Sequence, residues 1–179
     1  AMAWFGSLYS IKTLESKVKI INLEAINKVL NKNKPLLIFT PHAWSQELLS
    51  KVLSRKIDYM PVFRHMNNPV ANYIMQKARL KIYKNLILKA NTRQIVKSLQ
   101  QNKIVAILPD QDFGRRRSVF VPFFNVPAAT TTSLSKYKKL TDATIISLSY
   151  LRNPDPKKRD HFTIYVSDPL EITGTDLEK

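Results

Sequence analysis

Short apolar runs set the rhythm of this chain. Residues 36–40, 57–62, 104–108 and 144–150 are almost continuously hydrophobic, too short for helices and without alternation. That is the pattern of strands covered on both faces, as in a parallel sheet. Residues 161–166 alternate apolar and polar side chains and predict an edge strand.

Between the runs the period changes to that of a helix. Leu23, Ile26 and Leu30 share one face, and Pro35 closes that segment. Asn68 followed by Pro69 predicts a helix start, with asparagine as cap and proline in the first turn. Residues 92–101 place Ile95, Val96 and Leu99 on one stripe, and residues 130–140 open with three threonines, one of which can cap a helix. This alternation predicts the α/β class: a three-layer α/β/α sandwich around a mostly parallel sheet. Pro122 and Pro127 argue against a regular element over residues 119–127, and residues 153–160 read as an exposed loop.

Composition narrows the function classes. The 179 residues suit one domain with a real core, and no cysteine is present, which excludes disulfides and cysteine-ligated metals. Glycine occurs at Gly6, Gly114 and Gly174 alone, so a glycine-rich nucleotide loop is missing. No apolar run approaches the roughly 20 residues of a membrane span. A formal net charge of +16 attracts polyanions: nucleic acid, anionic lipid or an acidic carrier protein. Charge alone does not choose among them.

Four segments carry candidate chemistry. His42 follows a buried run and Pro41, in the strand-to-helix turn where open α/β sheets bind ligands, and Glu47 lies in the first turns of the helix beyond. A carboxylate there can fix the imidazole tautomer and leave the other nitrogen as a general base; the alternative is a capping histidine beside a solvated glutamate. No second histidine stands at metalloprotease spacing, so no metal site is expected. Arg64 follows the next run, just before the Asn68 helix start, and either meets an anion or snorkels from a strand end. His65 has no evident partner in the sequence. Asp110 and Asp112 precede Gly114 and then Arg115, Arg116 and Arg117, which would hold a phosphorylated or carboxylated substrate or form a solvated turn. Phe120, Phe123 and Phe124 lie among prolines, as an acyl-chain wall, a membrane-contacting lip or core packing.

Taken in order, these segments resemble the late acyltransferases of lipid A biosynthesis, the lauroyl/myristoyl transferases of Gram-negative bacteria. Asp110 to Arg116, then Ser118 to Phe124, then Pro127 to Thr132 is similar to that family's signature almost residue for residue. His42 and Glu47 match its His-x4-Asp/Glu motif, and Arg64 with Asn67, Asn68 and Pro69 its second block. The resemblance implies a fold akin to the glycerol-phosphate acyltransferases. It implies an acyl-carrier-protein thioester as donor, a Kdo-bearing lipid A precursor as acceptor, and a place on the cytoplasmic face of the inner membrane. His42 would be the base and Glu47 its orienting partner. Arg64, Asn68, Asp110, Asp112, Gly114, Arg115, Arg116 and Arg117 would bind substrate. Phe120, Phe123 and Phe124 would contact acyl chain or membrane. With no cysteine and no Gly-x-Ser-x-Gly elbow, direct attack is expected rather than an acyl-enzyme, with no cofactor.

Two other readings compete. A glycerophospholipid or ornithine-type acyltransferase of the same superfamily would carry a Pro-Glu-Gly-Thr type sequence where this chain has Pro109-Asp110-Gln111-Asp112. A basic nucleic-acid-binding domain would show a binding motif or stacking aromatics among the cations, and neither is present, so no nucleic-acid partner is expected. Members of the family carry an N-terminal anchor and a further C-terminal segment. Residues 1–179 are therefore expected to be a single acyltransferase domain incomplete at both ends.

Overall fold

A computed structural model describes residues 10–111, 118–155, 157 and 161–171. In chain order the elements are α1 (Ile11–Lys17), β1 (Val18–Ile21), α2 (Leu23–Asn31), β2 (Leu36–Phe39), α3 (Gln46–Leu53) and β3 (Tyr59–Phe63). They continue with α4 (Pro69–Leu80), β4 (Ile87–Leu88), α5 (Thr92–Gln100), β5 (Ile104–Ile107), β6 (Ser118–Phe123) and β7 (Val126–Thr131). The last are α6 (Ser133–Thr141), β8 (Thr144–Arg152) and β9 (Phe162–Val166).

Seven strands form one sheet in the order β1-β9-β8-β2-β5-β3-β4. Every neighbouring pair is parallel except β8 with β9. The α/β class and the mostly parallel sheet therefore follow the alternation in the sequence. The continuous apolar runs reflect cover on both faces. Leu36, Ile38, Ile104, Ala106, Ile146 and Leu148 face one way, against Ile26 and Val29 of α2 and Leu49 and Leu53 of α3. Leu37, Val105, Ile107 and Ile145 face the other, against Ile95 and Leu99 of α5, with Leu134 and Tyr137 of α6 packed alongside. Truncating a fully buried member such as Ile146 to alanine costs about 2–5 kcal/mol by lost transfer and a cavity.

Local signals set several boundaries. Asn68 caps α4, its side chain accepting from the Val70 and Ala71 amides at 3.0 Å. Asn91 caps α5 by accepting from Gln94 N at 3.1 Å. Helix α6 starts later than the threonines suggest, because Thr130 and Thr131 belong to β7. Among the described residues no helix is long and apolar enough to cross a membrane.

Two expectations need correction, and two short strands carry no signal in the sequence. Strand β9 is no edge strand; it lies between β1 and β8, and β1 had no clear signal in its four residues. Two-residue β4 was likewise silent in the sequence. Residues 119–127, judged irregular because of their prolines, form a regular antiparallel ribbon, β6 with β7. The turn at Phe124 and Asn125 has φ of 49° and 63°, the left-handed values of a two-residue type I′ hairpin. In such a hairpin the pair beside the turn is hydrogen-bonded and the next is not. Pro122 and Pro127 face each other in that next pair, where no ladder bond asks for their missing N–H groups.

Candidate functional site

Three crossovers deliver the candidate residues to one edge of the sheet. Strand β2 runs one residue further than its ladder, Thr40 N donating to Ile107 O at 3.2 Å, until Pro41 ends it. Strands β2 and β5 are parallel neighbours with Phe39 opposite Ile107. Three residues beyond that pair, in each chain segment, stand His42 and Asp110. The Asp110 carboxylate grips His42 twice: Oδ2 accepts from the His42 backbone N–H at 2.6 Å, and Oδ1 pairs with ring Nδ1. Burial would raise the Asp110 carboxyl. The hydrogen bonds from the His42 backbone and ring, with the ring's charge, outweigh it and hold the group below its ordinary value of 3.8.

Glu47, expected as the partner of His42, is turned elsewhere. Its Oε1 pairs with the guanidinium of Arg79, in the last turn of α4. In this structure the carboxylate on the His42 ring is that of Asp110, a residue expected from the sequence as a substrate contact. Glu47 instead anchors an arginine whose guanidinium also lies 5.7 Å from the Phe63 ring centre. Helix α4 ends there, so its carbonyl dipole also favours a cation at Arg79.

His42, Glu47, Arg64 and Arg79 line one cleft of about 1280 Å³ at the carboxyl ends of β2, β3 and β5. Lys89, Arg93, Lys97 and Lys136 line it too, so among the described residues its walls carry six Lys/Arg side chains and one carboxylate, Glu47. An anion is the matching ligand. The added cations come from the β4–α5 connection, α5 and α6; Arg93 and Lys97 sit a helical turn apart, a spacing legible in the sequence. His65 also lines the cleft, and it is no lone ring: Nδ1 lies 3.2 Å from Asn72 Oδ1 and 3.0 Å from Gln76 Nε2.

The deeper wall is made of tyrosines. Tyr59 and Tyr83 meet edge to face at 5.4 Å with hydroxyls 3.4 Å apart, and Tyr150 lines the same cleft. Burial pushes all three hydroxyls up, Tyr83 to about 12, so they are neutral donors at any ordinary pH.

Asn68 lies at the α4 start with its side-chain oxygen engaged in the cap. Phe120, Phe123 and Phe124 are exposed on the β6–β7 ribbon rather than in the core. Asp112, Gly114, Arg115, Arg116 and Arg117 lie outside the described residues, as do Pro156 and residues 158–160 of the expected loop. Among the described residues no group of three or more His, Cys, Asp or Glu side chains is placed to hold a metal ion.

Known proteins are similar to this sequence over most of its length. The chain is 29% identical over 179 residues, 99% of its length and 55% of the relative's, to a lipid A biosynthesis acyltransferase of Haemophilus influenzae. It is 28% identical over 157 residues, 87% of its length and 50% of the relative's, to a lipid A biosynthesis lauroyltransferase of Escherichia coli. A lipid A biosynthesis palmitoleoyltransferase of Escherichia coli is 27% identical over 180 residues, 98% of this chain and 56% of that protein. The chain spans about half the length of the curated relatives it matches. The model of the bacterial lipid A biosynthesis acyltransferase family matches residues 1–179, and the chain belongs to that family.

Proposed function

We propose that this chain carries the acyl-transfer site of an enzyme that moves a fatty-acyl chain from an acyl-carrier-protein thioester to a hydroxyl of a Kdo-bearing lipid A precursor. The work is done at the cytoplasmic face of the inner membrane, on a fold akin to the glycerol-phosphate acyltransferases. The observation that carries the reading is the two-point grip of Asp110 on His42 at the mouth of a basic cleft.

In this reading Asp110 keeps the proton on Nδ1 and His42 takes the acceptor hydroxyl proton on Nε2. The alkoxide oxygen forms its bond to the thioester carbonyl carbon, the carbon–sulfur bond breaks, and the imidazolium returns the proton to the leaving thiolate. Asp110 stabilises the imidazolium between the two steps. Glu47 fixes Arg79 in the wall, where, with Arg64 and the α5 cations, it meets the anionic groups of the acceptor or of the carrier's phosphopantetheine. Arg115, Arg116 and Arg117 belong to the same anion-holding set by their place in the family signature.

The test is transfer from acyl-carrier-protein thioester to purified Kdo-bearing lipid A precursor, with product identified by mass spectrometry. Acylated lipid A precursor from the wild-type protein and none from His42→Ala is the expected result. Acylation of glycerophospholipid acceptors alone would assign the site to a different branch of the superfamily.

A further inference from the structure

The β6–β7 ribbon takes no part in the chemistry above. Among the described residues it pairs with no strand of the main sheet. No residue from Ser118 to Ser135 is charged, in a chain of which 23% is charged. Both of its faces are apolar. Val121 and Phe123 share one face with Val126 and Ala128, while Phe120 and Pro122 share the other with Pro127 and Ala129. A ribbon packed on protein covers one face and turns a polar face to water. Here Phe120 is 54% exposed, Phe123 64% and Phe124 87%, so the opposite faces and the tip are all bare.

The backbone bears on the occupant. Phe124 holds a φ of 49°, which asparagine tolerates and a bulky side chain adopts only at a steric cost. The chain thus keeps an aromatic ring at the outermost point of a strained turn. Pro122 and Pro127 face each other in the pair whose backbone groups point outward. Their rings delete the outward amide donors from the distal ribbon. This blocks a protein partner from adding a strand. It also removes two groups that would be costly to bury in hydrocarbon.

We propose that the β6–β7 ribbon is an interfacial anchor. Phe120, Val121, Phe123, Phe124 and Val126 enter the acyl region of one bilayer leaflet beside the cleft. From Phe120 to the turn the ribbon reaches about 13 Å at the usual strand rise. That is less than the roughly 15 Å of one leaflet's hydrocarbon, so it dips without spanning. At the other end of the ribbon, Thr131 lines the cleft, so insertion fixes the cleft within one strand length of the lipid. The proposal stands on the ribbon alone, and its test reads insertion without turnover.

The cysteine-free chain allows a single thiol label. Val126→Cys, carrying an environment-sensitive fluorophore, is mixed with vesicles of phosphatidylethanolamine and phosphatidylglycerol. A blue-shifted emission, quenched by brominated acyl chains, is expected at position 126 and not at Lys56→Cys, which precedes β3 at the opposite sheet edge. The paired variant Phe123→Ser with Phe124→Asn keeps a residue suited to the turn. It should lower vesicle partitioning about tenfold or more, with undiminished thermal stability. A position-126 label on vesicle-bound protein that iodide quenches as freely as in solution overturns the proposal. So does a label already shielded before vesicles are added, or shielded by soluble acyl-carrier protein instead.

Discussion

The sheet edge and the β6–β7 ribbon are built on opposite plans. The edge is assembled from segments far apart in sequence: His42 meets Asp110, and Glu47 meets Arg79, across three crossovers. The ribbon is one contiguous stretch that pairs with itself. The edge gathers ion pairs and cations; the ribbon has no charge and offers apolar side chains to its surroundings. A site that moves protons needs groups fixed in relation to one another, which a rigid sheet supplies. A surface that meets lipid needs only apolar area and a backbone with few stranded donors, which a hairpin supplies locally. Substitutions at the edge should therefore act on turnover or on substrate affinity, and those on the ribbon on partitioning.

The largest break in this comparison is His42→Ala. Loss of a general base should lower the rate about a hundredfold or more while the thermal unfolding midpoint stays near that of the parent. Transfer at a near-normal rate by the folded variant contradicts the mechanism. Asp110→Asn comes next. It keeps the shape but removes the charge that faces the imidazolium, and kcat should fall about ten- to a hundredfold with a smaller change in KM.

A smaller effect belongs to the second pair. Glu47 and Arg79 are 34% and 21% exposed, so their attraction contributes only about 0–1 kcal/mol to stability. Glu47→Ala and Arg79→Ala should each raise KM several-fold, and the double variant should cost little beyond either single one. Fully additive effects would show that the two side chains act separately. Glu47→Asp should retain part of the activity, whereas Arg79→Lys should not, because a point charge does not reproduce a planar fork.

Acid titration sharpens the same contrast more weakly. The Asp110 carboxyl is held below 3.8 in the folded chain, so its contribution is fully present above that value. It is lost as pH falls through the lower, folded-state value. The stability difference between the parent and Asp110→Asn, measured by urea unfolding, should close as pH falls below 3.8. At the other extreme, burial holds Tyr83 at about 12. Its contribution is complete below 10.0 and disappears as pH rises through about 12. Absorbance titration should show Tyr83 ionising late, together with Tyr59, and no ribbon variant should change that.

Much of the fold was legible because its strands are buried on both faces. Continuous apolar runs of five residues, such as 36–40 and 104–108, are too short for buried helices, and helical periods on either side leave them as strands. The Asn68 cap was legible because capping is local. The partner of His42 was not. Glu47 stands near it in sequence, but pairing depends on the β2–β5 register, which sets Phe39 opposite Ile107 and so brings up Asp110. Arg79 carried no signal, since one arginine in a basic helix looks like its neighbours. The ribbon failed for another reason. Proline is a sound argument against a central strand, but a two-residue hairpin turns alternate backbone groups outward, where proline fits. The alternation of β9 marks one face less buried than the other, which a position between two neighbouring strands produces as readily as an edge does.

The central claim is that Asp110, not Glu47, holds the His42 ring with its proton on Nδ1. Nitrogen-15 chemical shifts of His42 test it most directly, recorded at a pH where the ring is neutral. The account predicts a single tautomer protonated at Nδ1 in the parent and in Glu47→Gln, and a mixture of tautomers in Asp110→Asn. A tautomer that survives Asp110→Asn and is lost in Glu47→Gln would contradict it.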